Sequence, residues 1–368
     1  MPPTVDDSWE LDSSEPRVAA ALLGRPPLPT DWTTAEAALA DRRVLVTGAG
    51  GSVGKALADR LLSFDCESVT LLDHHDHALF ALRKSVQAHP RGERARLILA
   101  DIRDRSRTRR ILGELRPHAI FHLAAYKHVP FGEEFPEEAY AVNVAATVSL
   151  IARARELDVQ TFAYPSSDKA VNPPSIYGAT KRLSEVAMQR AAKETGRPYV
   201  VARYVNILGT HGSVVETFRD QVRRGQALTV TDERMTRYWA SMSEAVWLIA
   251  HAAARGEPGA VMMLDAREEI PVVTMARRVE ALVAPRQTPL PLAITGARPG
   301  ERLREELLSA NEWFEPGPLP GLLEVRTRRP ESRVGTLTDV LNRLDILIER
   351  EDTASFRDLL MDAARSLQ

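Results

Sequence analysis

The sequence predicts an α/β fold, a doubly wound parallel sheet covered by helices on both faces, with a smaller C-terminal domain. Three observations carry that prediction. From Arg43 onward short apolar strands alternate with helical segments. The first strand runs into a glycine-rich loop that opens a helix, and the second strand ends on an aspartate. Beyond residue 206 the alternation becomes irregular, and proline becomes frequent near 285–330.

Residues 1–40 read as an N-terminal extension, punctuated by Pro26, Pro27 and Pro29, with a short helix over Thr33–Ala40. Residues 41–205 read as the sheet domain. Val44–Val46 is the first strand and Lys55–Leu62 the first helix. The strands Val69–Leu72, Leu97–Leu99 and Ala119–Leu123 alternate with helices over 76–88 and Arg107–Leu115. A long helix over 137–157, a strand at Thr161–Tyr164, a helix over Ile176–Glu194 and a strand at Tyr199–Tyr204 complete it. These strands are apolar throughout, as in parallel sheets buried on both faces. Residues 206–330 form the smaller domain, and 331–368 read as C-terminal helices.

A chain of 368 residues exceeds what one hydrophobic core usually organises, which fits a large domain with a small partner. The formal net charge of −2 gives no global field for nucleic acid or an anionic membrane. No apolar run is long enough to span a bilayer, and the acidic start, Met1–Glu15, is unlike a signal peptide. The expected location is the cytoplasm. Cys66 is the only cysteine, which excludes an internal disulfide and cysteine-based zinc sites. Cations are overwhelmingly arginine; lysine occurs only at 55, 84, 127, 169, 181 and 193. Where positive charge alone is needed, such a sequence writes arginine, so a surviving lysine points to a need for an amine.

The loop Thr47-Gly48-Ala49-Gly50-Gly51-Ser52-Val53-Gly54 connects the first strand to the first helix. Glycines there permit a tight turn and let backbone amides approach a pyrophosphate at the helix N-terminus. Gly48, Gly50, Gly51, Ser52, Val53 and Gly54 are therefore candidates for holding a dinucleotide. Asp73 ends the second strand, where a carboxylate accepts both ribose hydroxyls and repels a 2′-phosphate, favouring NAD and leaving NADP as the alternative. Asp101 and Ile102 follow the third strand, where they would flank the adenine. His74, His75 and His77 read as exposed loop residues rather than a metal site; no metal is expected.

Tyr177 and Lys181 stand four apart in a predicted helix and share one face. A phenol beside an ammonium has a depressed pKa and can take a proton from an alcohol while hydride leaves for a nicotinamide. Lys181 is also placed to hold the nicotinamide ribose.

At this point the sequence resembles the extended short-chain dehydrogenase/reductases and, within them, the nucleotide-sugar 4,6-dehydratases of polysaccharide biosynthesis, such as UDP-N-acetylglucosamine 4,6-dehydratase. The resemblance is carried by Leu45–Gly54, by Ala124-Ala125-Tyr126-Lys127-His128-Val129-Pro130, by Ser166–Arg182, by Leu208–Val215 with Met235-Thr236-Arg237-Tyr238, and by Arg298-Pro299-Gly300-Glu301. It covers roughly 43–310. It implies a Rossmann-type sheet that binds NAD(P), with Ala124 and Ala125 against the cofactor, and a smaller C-terminal substrate domain. Leu22–Pro27 is similar to the lead-in of longer, membrane-anchored members; an anchor is not expected here.

By the same resemblance Ser167 partners Tyr177, and Asp168 and Lys169 are the acid and base of water elimination. Oxidation at C4 acidifies the C5 proton; a base must remove it and an acid must protonate the departing C6 hydroxyl. A carboxylic acid and a neutral amine divide those tasks if the site shifts their pKa values. The resemblance further implies that Lys127, Asn206, Arg237, Arg298 and Glu301 line the nucleotide-sugar site, the arginines matching diphosphate oxygens and Glu301 accepting ribose hydroxyls. Asn143 is expected to order the sheet.

Tyr164-Pro165, Phe131-Gly132, Val205 and Trp239 depart from the family pattern and leave the sugar open, a secondary-metabolite sugar included. A C4-epimerase or oxidase, a 5,6-dehydratase, and a non-catalytic NAD(P)-binding regulator are the alternative readings. Self-association through the helices at 137–157 and 176–194 is expected, giving a homodimer or higher form.

Overall fold

The computed structural model describes residues 15–28, 30–265, 268–285, 288–328 and 336–367. The first part of the N-terminal extension, with Pro29, lies outside them. Helices α1 (Pro16–Leu23) and α2 (Thr33–Leu39) come first. Then follow β1 (Arg43–Thr47), α3 (Ser52–Ser63), β2 (Ser68–Asp73), α4 (Asp76–Ala88), β3 (Ala95–Leu99), α5 (Arg105–Leu115) and β4 (Ala119–His122). Next are α6 (Val129–Glu134), α7 (Pro136–Tyr140) and, across a π turn at Ala141–Ala145, α8 (Ala146–Glu156). Strand β5 (Thr161–Ser167) passes through a single 3-10 turn, Asp168–Ala170, towards α9 (Ile176–Thr195) and β6 (Tyr199–Tyr204).

The remainder comprises β7 (Asn206–Ile207), α10 (Val214–Arg223), β8 (Leu228–Val230), β9 (Thr236–Ala240), α11 (Met242–Arg255), β10 (Val261–Leu264) and β11 (Glu269–Pro271). It continues with α12 (Val272–Val283), β12 (Leu292–Ile294), β13 (Glu312–Pro316), β14 (Leu322–Thr327), α13 (Leu337–Glu349) and α14 (Thr353–Ser366).

The main sheet has the order β13-β14-β10-β6-β5-β4-β1-β2-β3. It is parallel from β3 to β10; β14 pairs antiparallel with β10, and β13 antiparallel with β14. Winding reverses between β1 and β4, the switch point outside whose carboxyl ends such sheets bind ligands. This is the Rossmann-like doubly wound architecture that the alternating pattern predicts. The sheet also draws β10, β13 and β14 from the region after residue 206, so that region is interleaved with the sheet domain rather than appended to it.

One face of the sheet packs on α2, α3 and α11 through Leu39, Leu57, Leu61, Trp247 and Ile249. The other packs on α5, α8 and α9 through Leu112, Leu150, Leu183 and Met188. A third core joins α10 and α12 through Phe218, Met275 and Val279, with Leu22 and Leu23 of α1 inserted into it. The N-terminal segment therefore spans both lobes. Glu244, in a capping box with Ser241 at the start of α11, also holds Arg25 at 2.7 Å and the Leu28 amide at 2.8 Å.

Two elements differ from the sequence pattern for local reasons. The helix expected over 137–157 is interrupted by the π turn, which carries Asn143 inward. The fifth strand continues through Tyr164 and Pro165 to Ser167, paired with β6 as far as Tyr204. The C-terminal helices fold back as a hairpin on α9 and α7. The Phe356 ring meets Tyr140 edge-on at 5.5 Å, the Tyr140 hydroxyl donates to Asp345 at 3.0 Å, and Arg182 donates to the Leu367 carbonyl at 2.8 Å. Part of the α9 surface expected to mediate self-association is thus covered by the chain itself.

Candidate active site

The glycine-rich loop is shaped by close approaches. Gly48 has φ +68°, and a Cβ there would stand 2.5 Å from the Ala124 amide nitrogen. A Cβ on Gly54 would stand 2.3 Å from the Gly48 carbonyl, so only glycine lets α3 begin where it does. Asp73 accepts from the Gly50 amide at 2.8 Å and from the His75 amide at 2.9 Å, tying the loop to the end of β2. Gly48, Gly50, Gly51, Asp73, Asp101, Ile102, Ala124 and Ala125 come together around a cavity of about 300 Å³. Arg103, which the sequence does not single out, lines it too and forks onto the Asp101 carboxylate at 2.7 Å. That bond is the largest influence holding the Asp101 carboxyl below its ordinary range. Ser52 and Val53 serve differently: the Ser52 hydroxyl accepts from the His211 amide at 3.0 Å, and Val53 packs on the core. His75 caps α4 by accepting from Ala78.

At the end of β4, buried His122 bridges the Thr47 and Thr147 hydroxyls at 2.7 and 2.8 Å, and burial pushes its pKa down to about 3. Asn143 accepts from the Tyr126 amide at 2.8 Å and donates to the Tyr126 carbonyl at 2.9 Å and to Thr180 at 3.0 Å. It fixes the loop after β4 and ties it to the first turns of α9.

Ser175 caps α9 through the Gly178 amide, which places Tyr177 in the first turn. Gly178 lets that turn press against the Lys169 carbonyl, 2.1 Å from where a Cβ would sit. Asp168 is buried and accepts from Ser167 Oγ at 2.8 Å and from Lys169 Nζ at 3.2 Å; its Oδ2 has no hydrogen-bond partner. Lys181 is buried too, donates to the Pro165 carbonyl at 2.8 Å and lies over the Tyr164 ring at 4.6 Å. Tyr164-Pro165, a departure in sequence, thus forms the Lys181 seat.

The electrostatics correct two expectations. Tyr177 is not depressed but held above its ordinary pKa: burial dominates, and the opposing pull comes from Lys169 and the Ser167 hydroxyl. Lys181, the expected cation, is itself driven down to about 7 by burial, with Glu185 opposing. Lys169 is the reverse case. Burial is the largest influence and acts to lower it, yet Asp168 and Glu305 together outweigh burial and raise it, so Lys169 is an ammonium rather than the neutral amine expected.

Glu305 is the residue the sequence reading missed. Its carboxylate is 3.2 Å from Lys169 Nζ and 3.6 Å from Arg237 Nε, and its Oε2 has no hydrogen-bond partner. The signal was present only as a further acid four residues after Glu301. Glu301 itself accepts from the Arg298 amide at 3.1 Å and closes the exposed 298–301 turn, which rests through Gly300 on Ser175. Arg237 is buried, Asn206 donates to the Tyr238 carbonyl at 3.1 Å, and Lys127, lowered by burial, donates to the His211 carbonyl. The structure thus gathers Asp168, Lys169, Tyr177 and Arg237, and leaves Arg298 and Glu301 in a surface turn.

A family model described as polysaccharide biosynthesis protein matches residues 44–326. The chain belongs to that family. Its fold and motifs are those of the extended short-chain dehydrogenase/reductases. It is 35% identical over 294 residues to the capsular polysaccharide biosynthesis protein CapD of Staphylococcus aureus, covering 79% of this chain and 49% of that protein. The chain thus spans about half the length of CapD, and the same holds for the probable polysaccharide biosynthesis protein EpsC of Bacillus subtilis. It is 30% identical over 276 residues to an inverting UDP-N-acetylglucosamine 4,6-dehydratase of Campylobacter jejuni, with 74% and 78% coverage. A UDP-glucose 4-epimerase of Rickettsia canadensis is 28% identical over 279 residues, covering 74% and 79%. Among solved structures, Pen from Bacillus thuringiensis superposes with TM-score 0.72 at 24% identity, covering 84% and 98% of the two chains. Among the described residues no helix of this family member is long and apolar enough to cross a membrane.

Proposed function

We propose that the chain is an NAD-dependent nucleotide-sugar 4,6-dehydratase acting on UDP-N-acetylglucosamine or a related UDP-sugar, a hydro-lyase giving a 4-keto-6-deoxy sugar. The observation that carries the reading is buried Asp168 ion-paired with Lys169 at 3.2 Å on the turn leading to Tyr177. Oxidation alone needs the tyrosine; the acid and amine beside it suit the loss of water that follows. The similarity to the Campylobacter enzyme supports the substrate class.

The cavity at the glycine-rich loop fits a dinucleotide. Gly48 and Gly50 leave room where a Cβ would collide, and Asp73 stands where a ribose would lie and a 2′-phosphate would be repelled, which favours NAD over NADP. Gly48, Gly50, Gly51, Asp73, Asp101, Ile102, Ala124 and Ala125 would hold a nicotinamide dinucleotide there, and it would supply hydride acceptance at C4 and return at C6. Tyr177 takes the C4 hydroxyl proton at Oη in its phenolate form, which Lys169 and the Ser167 hydroxyl favour against burial. Lys181 anchors the ribose from its seat on Pro165. Lys169 Nζ first passes a proton to Asp168 Oδ1 across the 3.2 Å ion pair; the acid so formed protonates the leaving C6 oxygen while the neutral amine takes the C5 proton, which restores the pair. Arg237 binds the diphosphate. The chain acts as a homodimer or higher form.

The test is purified protein with UDP-N-acetylglucosamine, followed by mass spectrometry: loss of one water supports the reading. An isomer of unchanged mass would instead favour a C4-epimerase, the second reading, which the Rickettsia relative supports.

A further inference from the structure

Resting on the dehydratase reading, we infer that Glu305 is a positioning residue of this site: it clamps the Lys169 side chain against Asp168 and links it to Arg237. The geometry has three parts. Lys169 Nζ lies 3.2 Å from Asp168 Oδ1 and 3.2 Å from Glu305 Oε1, so two carboxylates from distant segments share one ammonium. Glu305 is buried and its Oε1 also faces Arg237 Nε at 3.6 Å. Its Oε2 is buried with no protein hydrogen-bond partner among the described residues.

The consequence is chemical. Besides burial, which lowers it, the groups that act on Lys169 are Asp168, Glu305, Arg237 and Tyr177. Glu305 and Asp168 favour the ammonium; Arg237 disfavours it. Removing the Glu305 charge leaves Lys169 with one carboxylate, the same burial and the same repelling guanidinium, so its proton is held less tightly. An interaction confined to packing would change stability without moving that titration.

The experiment reads Lys169 directly, on the full chain, by competitive labelling with acetic anhydride across pH and mass spectrometry of each lysine peptide. In the wild type, Lys169 should resist labelling at pH values where exposed Lys193 is fully reactive. Glu305→Gln should move the Lys169 midpoint down by about one pH unit or more, about tenfold in proton affinity, with Lys193 unchanged; Glu305→Asp should restore most of the shift. The pH midpoint of water loss should move down in parallel. Wild-type Lys169 titrating with Lys193, or an unchanged midpoint in folded Glu305→Gln, overturns the inference. Should that variant fail to fold, Glu305→Ala and the wild-type comparison still decide it. Because labelling needs no turnover, a protein that does not dehydrate the sugar defeats the functional reading and leaves this measurement intact.

Discussion

Replacing Lys169 by methionine removes the ammonium while keeping an unbranched side chain of similar reach. Two buried carboxylates, each 3.2 Å from Nζ in the wild type, are then left facing one space. Breaking a buried ion pair from one side costs about 3–5 kcal/mol, and the neighbouring Arg237 places this variant at the lower end. The cost should depend on pH in a defined direction. With two carboxylates sharing a site, one takes a folded-state pKa above its unfolded value of about 4. The stability so gained is present below the unfolded pKa and lost as pH rises through the folded one. The deficit against wild type should therefore be largest at neutral pH and shrink on acidification. Catalytically, water loss should fall by about a hundredfold or more, while C4 oxidation persists and reduced cofactor accumulates on the protein. Urea unfolding at several pH values, with product analysis and cofactor absorbance, reads all three. Normal turnover would refute the assigned role of Lys169, and a deficit independent of pH would refute the shared-site electrostatics.

Tyr177→Phe should cut C4 oxidation by about a hundredfold or more and leave dinucleotide binding intact in a fluorescence titration; wild-type turnover would remove Tyr177 from the chemistry. Asp73→Asn removes the charge that accepts from Gly50 and His75; a charge-assisted bond is worth about 1.5–3 kcal/mol, so NAD affinity measured by calorimetry should fall roughly tenfold to a hundredfold and discrimination against NADP should relax. Phe356→Ala empties the contact of α14 with Tyr140 and should lower stability by about 3–5 kcal/mol, read by thermal unfolding; light scattering on the same sample should show increased association as the α9 face is uncovered.

The parallel sheet was legible because its evidence is local: apolar strands, the glycine loop and Asp73 each announce themselves within a few residues. The cavity residues Gly48, Asp73 and Asp101 follow from that pattern, since sheet topology brings successive strand ends together, whereas Ala124 was reached only through the family resemblance. The interleaving of β10, β13 and β14 was not legible, because antiparallel additions at a sheet edge leave no alternation to read. Nor was Glu305. It lies 136 positions after Lys169 in an irregular segment, and neither periodicity nor spacing relates the two. Its neighbour Glu301 drew attention through a motif, while the buried carboxylate was the one four residues on.

The two site lysines show why spacing alone misassigns electrostatic roles. Lys181 and Tyr177 share a helix face, and that proximity suggested that Lys181 lowers the phenol. Burial instead drives Lys181 down to about 7, because Glu185 alone opposes it. Lys169 meets burial as well but keeps its charge, since two carboxylates oppose it. The cation acting on Tyr177 is therefore Lys169. In the proposed reaction, oxidation and dehydration are therefore not electrostatically independent. Lys169→Met takes away the charge that favours the phenolate, so C4 oxidation in that variant should persist with its ascending pH limb displaced to higher pH. A Lys181 substitution should instead act mainly on dinucleotide affinity. An ascending limb unmoved in Lys169→Met and displaced in Lys181→Met would restore Lys181 as the partner of the tyrosine.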